Sequence, residues 1–371
     1  MSQSPYTLPP GLPSPVDDGA CLHLRGAALP QMSLPSTSGT SAVLDRLGGT
    51  NGLVLFFFPR TGIPGQPPGL GYAGETWDSI PGARGCTPQS CGYRDLYAEF
   101  ESLGVAVYGV STSTQAHQLE FKTRTHAPFD FLSDSDLALT KAMDLPTFRY
   151  PVESGGPDTL IARMAWYLSP DASRTTRIRK VWYPAFPPDQ NASVVLAWLR
   201  RRARISVRPA TPGDAGFVLS ELKRHWGGAE IWSLRRAYRA DRLPALIAES
   251  GGKPVGLLTH TEPGAECEVI TLSVVHDGRG IGSRLLEAAA DLARAAGCSR
   301  IFLTTSNDNT RAIGFYQREG WSMAALHRGH IDAARGFQPH IPRVAANGIP
   351  IHDELEFEIR LSDGLASHAP H

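Results

Sequence analysis

Short apolar runs alternate with amphipathic stretches along most of the chain, and the period of each stretch predicts its element. Leu53–Phe58, Val105–Val110, Phe129–Leu132, Leu160–Leu168 and Ile178–Trp182 read as strands. Gln89–Ser102, Gln115–Thr125, Asp136–Met143 and Asn191–Arg202 read as helices. This alternation predicts an α/β layered domain. A run of arginines follows Trp198 (Arg200, Arg201, Arg202, Arg204), either an anion patch or a solvated helix end where cations suit the dipole. A second series then opens with a strand at Ile205–Arg208 and a helix after Thr211. Strands at Ala245–Glu249, Val255–His260 and Glu266–Val275 come next, then a helix (Ile281–Ala296), a strand (Ile301–Thr305) and a helix (Thr310–Glu319). Late strands are expected near Trp321–Ala325 and Leu355–Leu361. The predicted organisation is a flexible arm over 1–17, a first domain over 18–203 and a second over 204–371.

Composition narrows the function classes. Thirty-six basic residues balance thirty-six acidic ones, so the chain has no general electrostatic grip on nucleic acid or anionic membrane. Its apolar runs are too short to span a bilayer, and its N-terminus has neither a basic flank nor an apolar core of a signal peptide. Five cysteines do not make a disulfide framework, so a reducing, cytoplasmic setting is expected, and the Asn191-Ala192-Ser193 sequon carries no message there.

Two of the cysteines stand close together, in Gly85-Cys86-Thr87-Pro88-Gln89-Ser90-Cys91. Thr87 followed by Pro88 predicts a helix start: a hydroxyl cap, then proline where no N–H is needed. Cys86 would sit at the edge of that helix, where the dipole and unpaired N–H groups favour a thiolate. Five helical residues separate Cα atoms by about 7.5 Å along the axis, and disulfides rarely span more than about 7 Å, so bonding Cys86 to Cys91 requires the first turn to unwind. The alternative is a pair of buried cysteines that only pack, which is the reading for Cys21, Cys267 and Cys298. A zinc site is set aside, since no second Cys or His pair stands at ligand spacing.

Phe56-Phe57-Phe58-Pro59-Arg60-Thr61-Gly62, the Gly85–Cys91 segment and Tyr93-Arg94-Asp95 resemble a Q-type peroxiredoxin of the AhpC/TSA superfamily, over about Asp18 to Arg202. The resemblance implies a thioredoxin-like fold, with Cys86 peroxidatic and Cys91 resolving. It also implies hydroperoxide substrates and a thioredoxin-like reductant. A distal arginine is expected on a later strand, where Arg163 stands; without the family it reads equally as a salt-bridge arginine. The family carries threonine three residues before the peroxidatic cysteine, and this chain has Ala83. The loop from Arg60 to Gly85 is also longer than the family's.

The second chemical centre follows the strand ending at Val274 and Val275: His276-Asp277-Gly278-Arg279-Gly280-Ile281-Gly282-Ser283, then a helix. Strand, Gly-rich turn and helix start form a phosphate cradle. A Rossmann turn would carry a third glycine where Ser283 stands, and a Walker loop would end in Gly-Lys-Ser/Thr. Together with Asn309, Ala312 and Tyr316 on the later helix, the turn resembles the coenzyme-A site of a GNAT N-acetyltransferase, over about Ile205 to Leu361. That implies a mixed α/β fold and acetyl-CoA as cosubstrate, held from Val274 to Ser283 and by Asn309 and Ala312, with no metal. Tyr316 would protonate the leaving thiolate, its alternative being a core tyrosine. Glu268, with Glu266 as runner-up, would take the amine proton; either could be a surface strand residue. Asp277 stands where the family has Gln or Arg, and Arg279 would supply the cation. The tail with His327, His330 and His352 would shape the acceptor pocket.

The expected function is therefore bifunctional: hydroperoxide reduction and acetyl transfer to a primary amine. Two alternatives remain: a redox-sensing thioredoxin-fold module that regulates the acetyltransferase, and an acetyl-CoA module that only binds.

Overall fold

The computed structural model describes residues 8–62, 75–150 and 158–361 and divides into two compact units, Met1–Arg200 and Arg201–His371. Residues 1–7 of the expected arm lie outside the described residues, as do residues 63–74 of the long segment between Arg60 and Gly85. Among the described residues no helix is long and apolar enough to cross a membrane.

In the first unit five strands among the described residues form one sheet: β1 (Gly52–Phe57), β2 (Val105–Ser111), β3 (Phe131–Ser133), β4 (Met164–Pro170) and β5 (Thr176–Trp182). Their order is β3-β2-β1-β4-β5. β1 and β2 are parallel, as are β2 and β3, while β4 runs antiparallel to β1 and to β5. Every residue of β1 is buried, because a central strand covered on both faces needs an unbroken apolar run. Leu53, Leu55 and Phe57 meet Trp166 and Leu168 in one cluster. Val54, Phe56 and Phe58 meet Tyr93, Phe100, Phe121 and Leu196 in another. The period-two alternation of side chains thus builds both layers from one strand. The chief helices here are α1 (Cys86–Asp95), α2 (Gln115–Thr125) and α3 (Asn191–Ala203). Phe56 stacks on Tyr93 with ring centroids 4.2 Å apart, which ties α1 to β1.

Two expectations change here. The single helix expected over Gln89–Ser102 starts earlier and breaks at Leu96, ahead of a short helical segment, Tyr97–Ser102. The strand expected over Leu160–Leu168 is two pieces: Thr159–Ile161 pairs with Thr147–Arg149, and β4 begins at Met164. Ala162 and Arg163 form the break between them, which frees the arginine from strand alternation.

In the second unit seven strands among the described residues form a mixed sheet. They are β6 (Ser206–Pro209), β7 (Ala245–Ser250), β8 (Lys253–His260), β9 (Glu266–Val274), β10 (Arg300–Ser306), β11 (Ser322–His327) and β12 (Glu354–Arg360), ordered β6-β7-β8-β9-β10-β12-β11. Helices α4 (Ala215–Trp226), α5 (Ile281–Ala295) and α6 (Thr310–Arg318) pack with it. β9 and β10 are parallel, as a crossover through α5 requires. α5 carries Ile281, Leu285, Leu286, Ala289 and Ala293 into a core with Leu258, Val269, Ile301 and Leu303. Gly256 lets it come close: a Cβ there would lie 2.7 Å from Ile281 Cγ2.

The β9–β10 pairing stops early. It runs from Glu266 opposite Arg300 to Val269 opposite Leu303, after which the strands part. Periodicity does not reveal a short hairpin, Glu230–Ser233 with Arg236–Arg239, or the helix His330–Ala334, because each is shorter than the pattern that would announce it.

A packing prediction follows for the first unit. A Cβ on Gly109 of β2 would lie 2.4 Å from Phe131 Cδ1 and 2.9 Å from Phe56 Cζ. Gly109→Ala should cost about 1–3 kcal/mol through overpacking, read as an earlier denaturant midpoint for the first unit's transition.

Candidate active sites

The turn before α1 decides where Cys86 sits. Gly85 is the N-cap at φ 108°, a conformation that favours glycine, and a Cβ there would lie 2.6 Å from Pro188 Cγ. Cys86 is therefore the first helical residue, and Thr87 lies inside the helix rather than capping it. The first helical hydrogen bond runs from Gln89 N–H to the Gly85 carbonyl at 3.0 Å. Pro88 is tolerated because it precedes the first N–H that needs a partner.

Arg163 reaches the same point from the break before β4. Its Nη2 donates to Cys86 Sγ at 3.2 Å and to the Ala83 carbonyl at 2.9 Å, and its Nε donates to the Gly82 carbonyl at 3.0 Å. Nη1 donates to Gln89 Oε1. The Gln89 amide donates to Asn191 Oδ1 at 3.1 Å, and the Tyr93 hydroxyl donates to the same oxygen at 2.8 Å. Cys86, Arg163, Gln89 and Asn191 are all buried. Gln89 and Asn191 were not legible as site residues, and Asn191 stood only as a sequon. A fixed guanidinium thus reaches the sulfur of the first residue of α1.

Cys91 lies on the same helix, buried, with both thiols free. Burial pushes the Cys91 thiol up from its ordinary value. Ser90 and Gly92 on either side of it are weak helix formers, so this turn is a low-cost place to unwind. Ala83 is fully buried in an apolar cluster with Trp77, Tyr150 and Leu160, and it offers the site no hydroxyl.

In the second unit the turn into α5 has the expected form. Gly278 and Gly280 hold φ of 72° and 78°, and Gly280 is the N-cap. The first helical bond is Arg284 N–H to the Gly280 carbonyl at 3.1 Å, which leaves the N–H groups of Ile281, Gly282 and Ser283 without an intrahelical partner. Gly282 lets α6 pack closely: a Cβ there would lie 3.1 Å from Phe315 Cζ on α6. Val275 N–H is committed to the Val255 carbonyl at 2.9 Å. Arg279 is exposed. Asp277 pairs with Arg311 at 2.7 Å, a cation from α6 that the loop sequence alone did not reveal.

Where β9 and β10 part, a cleft of about 350 Å³ opens. Ile270, Thr271 and Leu272 line one side of the split, Thr304 and Thr305 the other, and Asn309, Ala312 and Tyr316 of α6 complete it. Asn309 caps α6, accepting from Ala312 N–H at 3.2 Å. Burial pushes the Tyr316 phenol up to about 12, so it holds its proton at neutral pH. Ile331, Ala334, Gln338, Ile341, Ile351 and Glu354 from the C-terminal tail also line the cleft.

Glu268 stands behind the wall rather than in it. Its carboxylate accepts from Ser233 Oγ at 2.6 Å and from the Tyr238 hydroxyl at 3.0 Å. Ser233 Oγ is 3.0 Å from Thr304 Oγ1, and both residues line the cleft. Burial raises the Glu268 pKa, with the charge of Glu354 adding to it. Glu266 is ion-paired to Arg300 at 2.8 Å, at the closed end of the β9–β10 pairing. Ser233, Thr304 and Glu354 were not anticipated individually, since Ser233 arrives on the unforeseen hairpin.

A buried thiol thus stands at one helix start, and a glycine-rich turn follows a strand of the split sheet at another. The AhpC/TSA family matches residues 79–163, and the acetyltransferase (GNAT) family matches residues 216–321. The chain is 40% identical over 135 residues to the uncharacterized protein YdhI of Bacillus subtilis, covering 36% of this chain and 84% of that one. It is 33% identical over 112 residues to a putative peroxiredoxin bcp of Coxiella burnetii, covering 30% of this chain and 60% of that one. Peroxidoxin BcpB of Mycobacterium tuberculosis, a solved structure, is 24% identical, with a TM-score of 0.36 over 47% of this chain and 96% of that one. The chain belongs to two enzyme families at once, joining an AhpC/TSA-family peroxiredoxin domain of thioredoxin-like fold to a GNAT acetyltransferase domain.

The geometry around Cys86 yields a prediction. Arg163→Met removes the cation and its hydrogen bonds to the Gly82 and Ala83 carbonyls. The second-order rate of Cys86 oxidation by hydrogen peroxide, followed by stopped-flow fluorescence, should fall about 100-fold, the scale of losing one charge-stabilising donor.

Proposed function

We propose that the chain is a bifunctional enzyme that reduces hydroperoxides in its first unit and acetylates a primary amine in its second. The peroxidase half rests above all on the 3.2 Å contact between Arg163 Nη2 and Cys86 Sγ at the start of α1. The Cys86 sulfur attacks one peroxide oxygen; an S–O bond forms, the O–O bond breaks and the second oxygen leaves as alcohol or water. Arg163 is positioned to carry charge developing on that leaving oxygen. The turn Cys86–Cys91 unwinds, and the Cys91 sulfur displaces hydroxide, which leaves as water once protonated, to form the disulfide. A thioredoxin-like dithiol then restores both thiols.

The acetyltransferase half is supported by the cleft at the β9–β10 split, lined by Tyr316, and by the free helix-start N–H groups of the turn that follows β9. Residues Gly278–Ser283 fit the pyrophosphate of acetyl-CoA, since their backbone is open and their N–H groups lack helical partners. Acetyl-CoA supplies the thioester that the amine attacks. Thr304 and Ser233 carry the amine proton to Glu268, and Tyr316 protonates the departing sulfur.

Ala83 favours a second reading, in which the first unit senses oxidant without sustained turnover. Peroxide consumption coupled to thioredoxin and its reductase separates the two. Sustained turnover that Cys86→Ser abolishes supports the enzyme; a single equivalent consumed per chain supports the sensor.

For the second unit, Glu268→Gln should lower kcat for acetyl transfer about 100-fold with the acetyl-CoA KM unchanged. A base must be ionised to act, and the Glu268 pKa is raised. Wild-type transfer should therefore fall away on acidification at a pH above the usual carboxylate range, and the variant should lose that limb of the profile.

A further inference from the structure

The cleft of the second unit has a far side that acetyl transfer by itself does not explain. Along β12, Leu355, Phe357 and Ile359 point into the core with α5, so Glu354 lies on the opposite face of the sheet. The cleft passes through the split and reaches both faces, from Tyr316 to Glu354. Glu354 is held in a fixed, buried position: Oε2 accepts from Leu234 N–H at 3.2 Å and is 3.1 Å from His330 Nδ1, and Oε1 lies 3.4 Å from Thr304 Oγ1. Around it the wall is apolar, made by Ile331, Ile341, Ile351 and Trp232. Trp232 stacks on Phe337 with centroids 4.2 Å apart, and its indole N–H is buried without a partner.

The charge of the lining is one-sided. Glu354 and Asp308 are its two charged residues, and no lysine, arginine or histidine among the described residues lines it. Asp308 Oδ1 is buried without a partner. His330, 3.1 Å from Glu354, stands outside that lining, so the cleft attracts a cation and offers a carboxylate neither lysine nor arginine.

We propose that the acceptor is a primary amine with a compact apolar body and no carboxylate. This deepens the acetyl-transfer reading and rests on it. The ammonium docks on Glu354, and the body lies against Trp232 and the isoleucine wall. In the reaction one ammonium proton passes by Thr304 and Ser233 to Glu268. The freed nitrogen then bonds to the thioester carbonyl carbon, the C–S bond breaks as Tyr316 protonates the sulfur, and the nitrogen sheds its second proton to water, from which Tyr316 is reprotonated. Glu354 acts as a specificity-determining residue, and amino acids are rejected because their carboxylate would face two others.

The test compares acceptors on the full chain by thiol release from acetyl-CoA, with acetyl-CoA binding measured separately by calorimetry. Phenethylamine and phenylalanine form a matched pair that differs by the carboxylate; spermidine tests a second charge in place of an apolar body. Phenethylamine should exceed both in kcat/KM by at least about 30-fold, the scale of one buried charge interaction. Glu354→Gln should raise the phenethylamine KM by a similar factor and leave the acetyl-CoA KM unchanged. Should that variant fail to fold, Trp232→Leu keeps the charge and should still raise the phenethylamine KM about 10-fold. Equal turnover of phenylalanine or spermidine, or a phenethylamine KM indifferent to both substitutions, overturns the acceptor assignment alone. Failure to bind acetyl-CoA overturns the acetyl-transfer reading and this assignment with it.

Discussion

The first amide N–H groups of an α-helix have no partner within the helix, and both candidate sites in this chain lie at such a helix start. At α1 the open end meets Cys86; at α5 it meets the turn Gly278–Gly280. Each needs a glycine at the N-cap with positive φ, Gly85 at 108° and Gly280 at 78°. Only such a backbone turns a chain sharply into a helix while keeping side chains away from the exposed amides. The second support differs between the units. In the first it is a cation, Arg163, freed from strand geometry by the break at 162–163. In the second it is an absence of pairing, the parting of β9 from β10 after Val269 and Leu303.

That parting matters because a fully paired sheet has no interior space. Once the two strands separate, side chains from both faces of the sheet open onto one cleft, with Tyr316 on the helical side and Ser233, Thr304 and Glu354 on the other. The proposed proton path from Thr304 through Ser233 to Glu268 exists only because the hairpin at Glu230–Ser233 brings a hydroxyl within 2.6 Å of the Glu268 carboxylate. Burial of that carboxylate raises its pKa, which matches a group asked to take a proton rather than to hold a fixed charge.

Much of this was legible in the sequence, and the failures have physical causes. Continuous apolar runs located β1, β2 and β9, and the 3.6-residue period located α2 and α5, because burial dictates those residues. Glycine patterns located both turns, since positive φ admits few substitutes. The start of α1 was misplaced: Thr87-Pro88 is a strong capping signal, yet Gly85, with its positive φ and no side chain to meet Pro188, sets the cap earlier. The strand over Leu160–Leu168 was read as unbroken because Ala162 and Arg163 do not punctuate a run. Gln89, Asn191, Ser233, Thr304 and Glu354 were missed as site residues because each acts through a contact between distant segments. Tyr93 with Asn191 and Ser233 with Thr304 leave no local pattern.

The central claim is that function in both units begins at an open helix start, and hydrogen–deuterium exchange on the intact chain tests it most directly. Acetyl-CoA should slow exchange of the amides over 278–283. One equivalent of hydrogen peroxide should speed exchange over 86–95, as the turn unwinds to join Cys86 to Cys91. Exchange unchanged in both segments, while ligand is bound and thiols are consumed, would contradict the account.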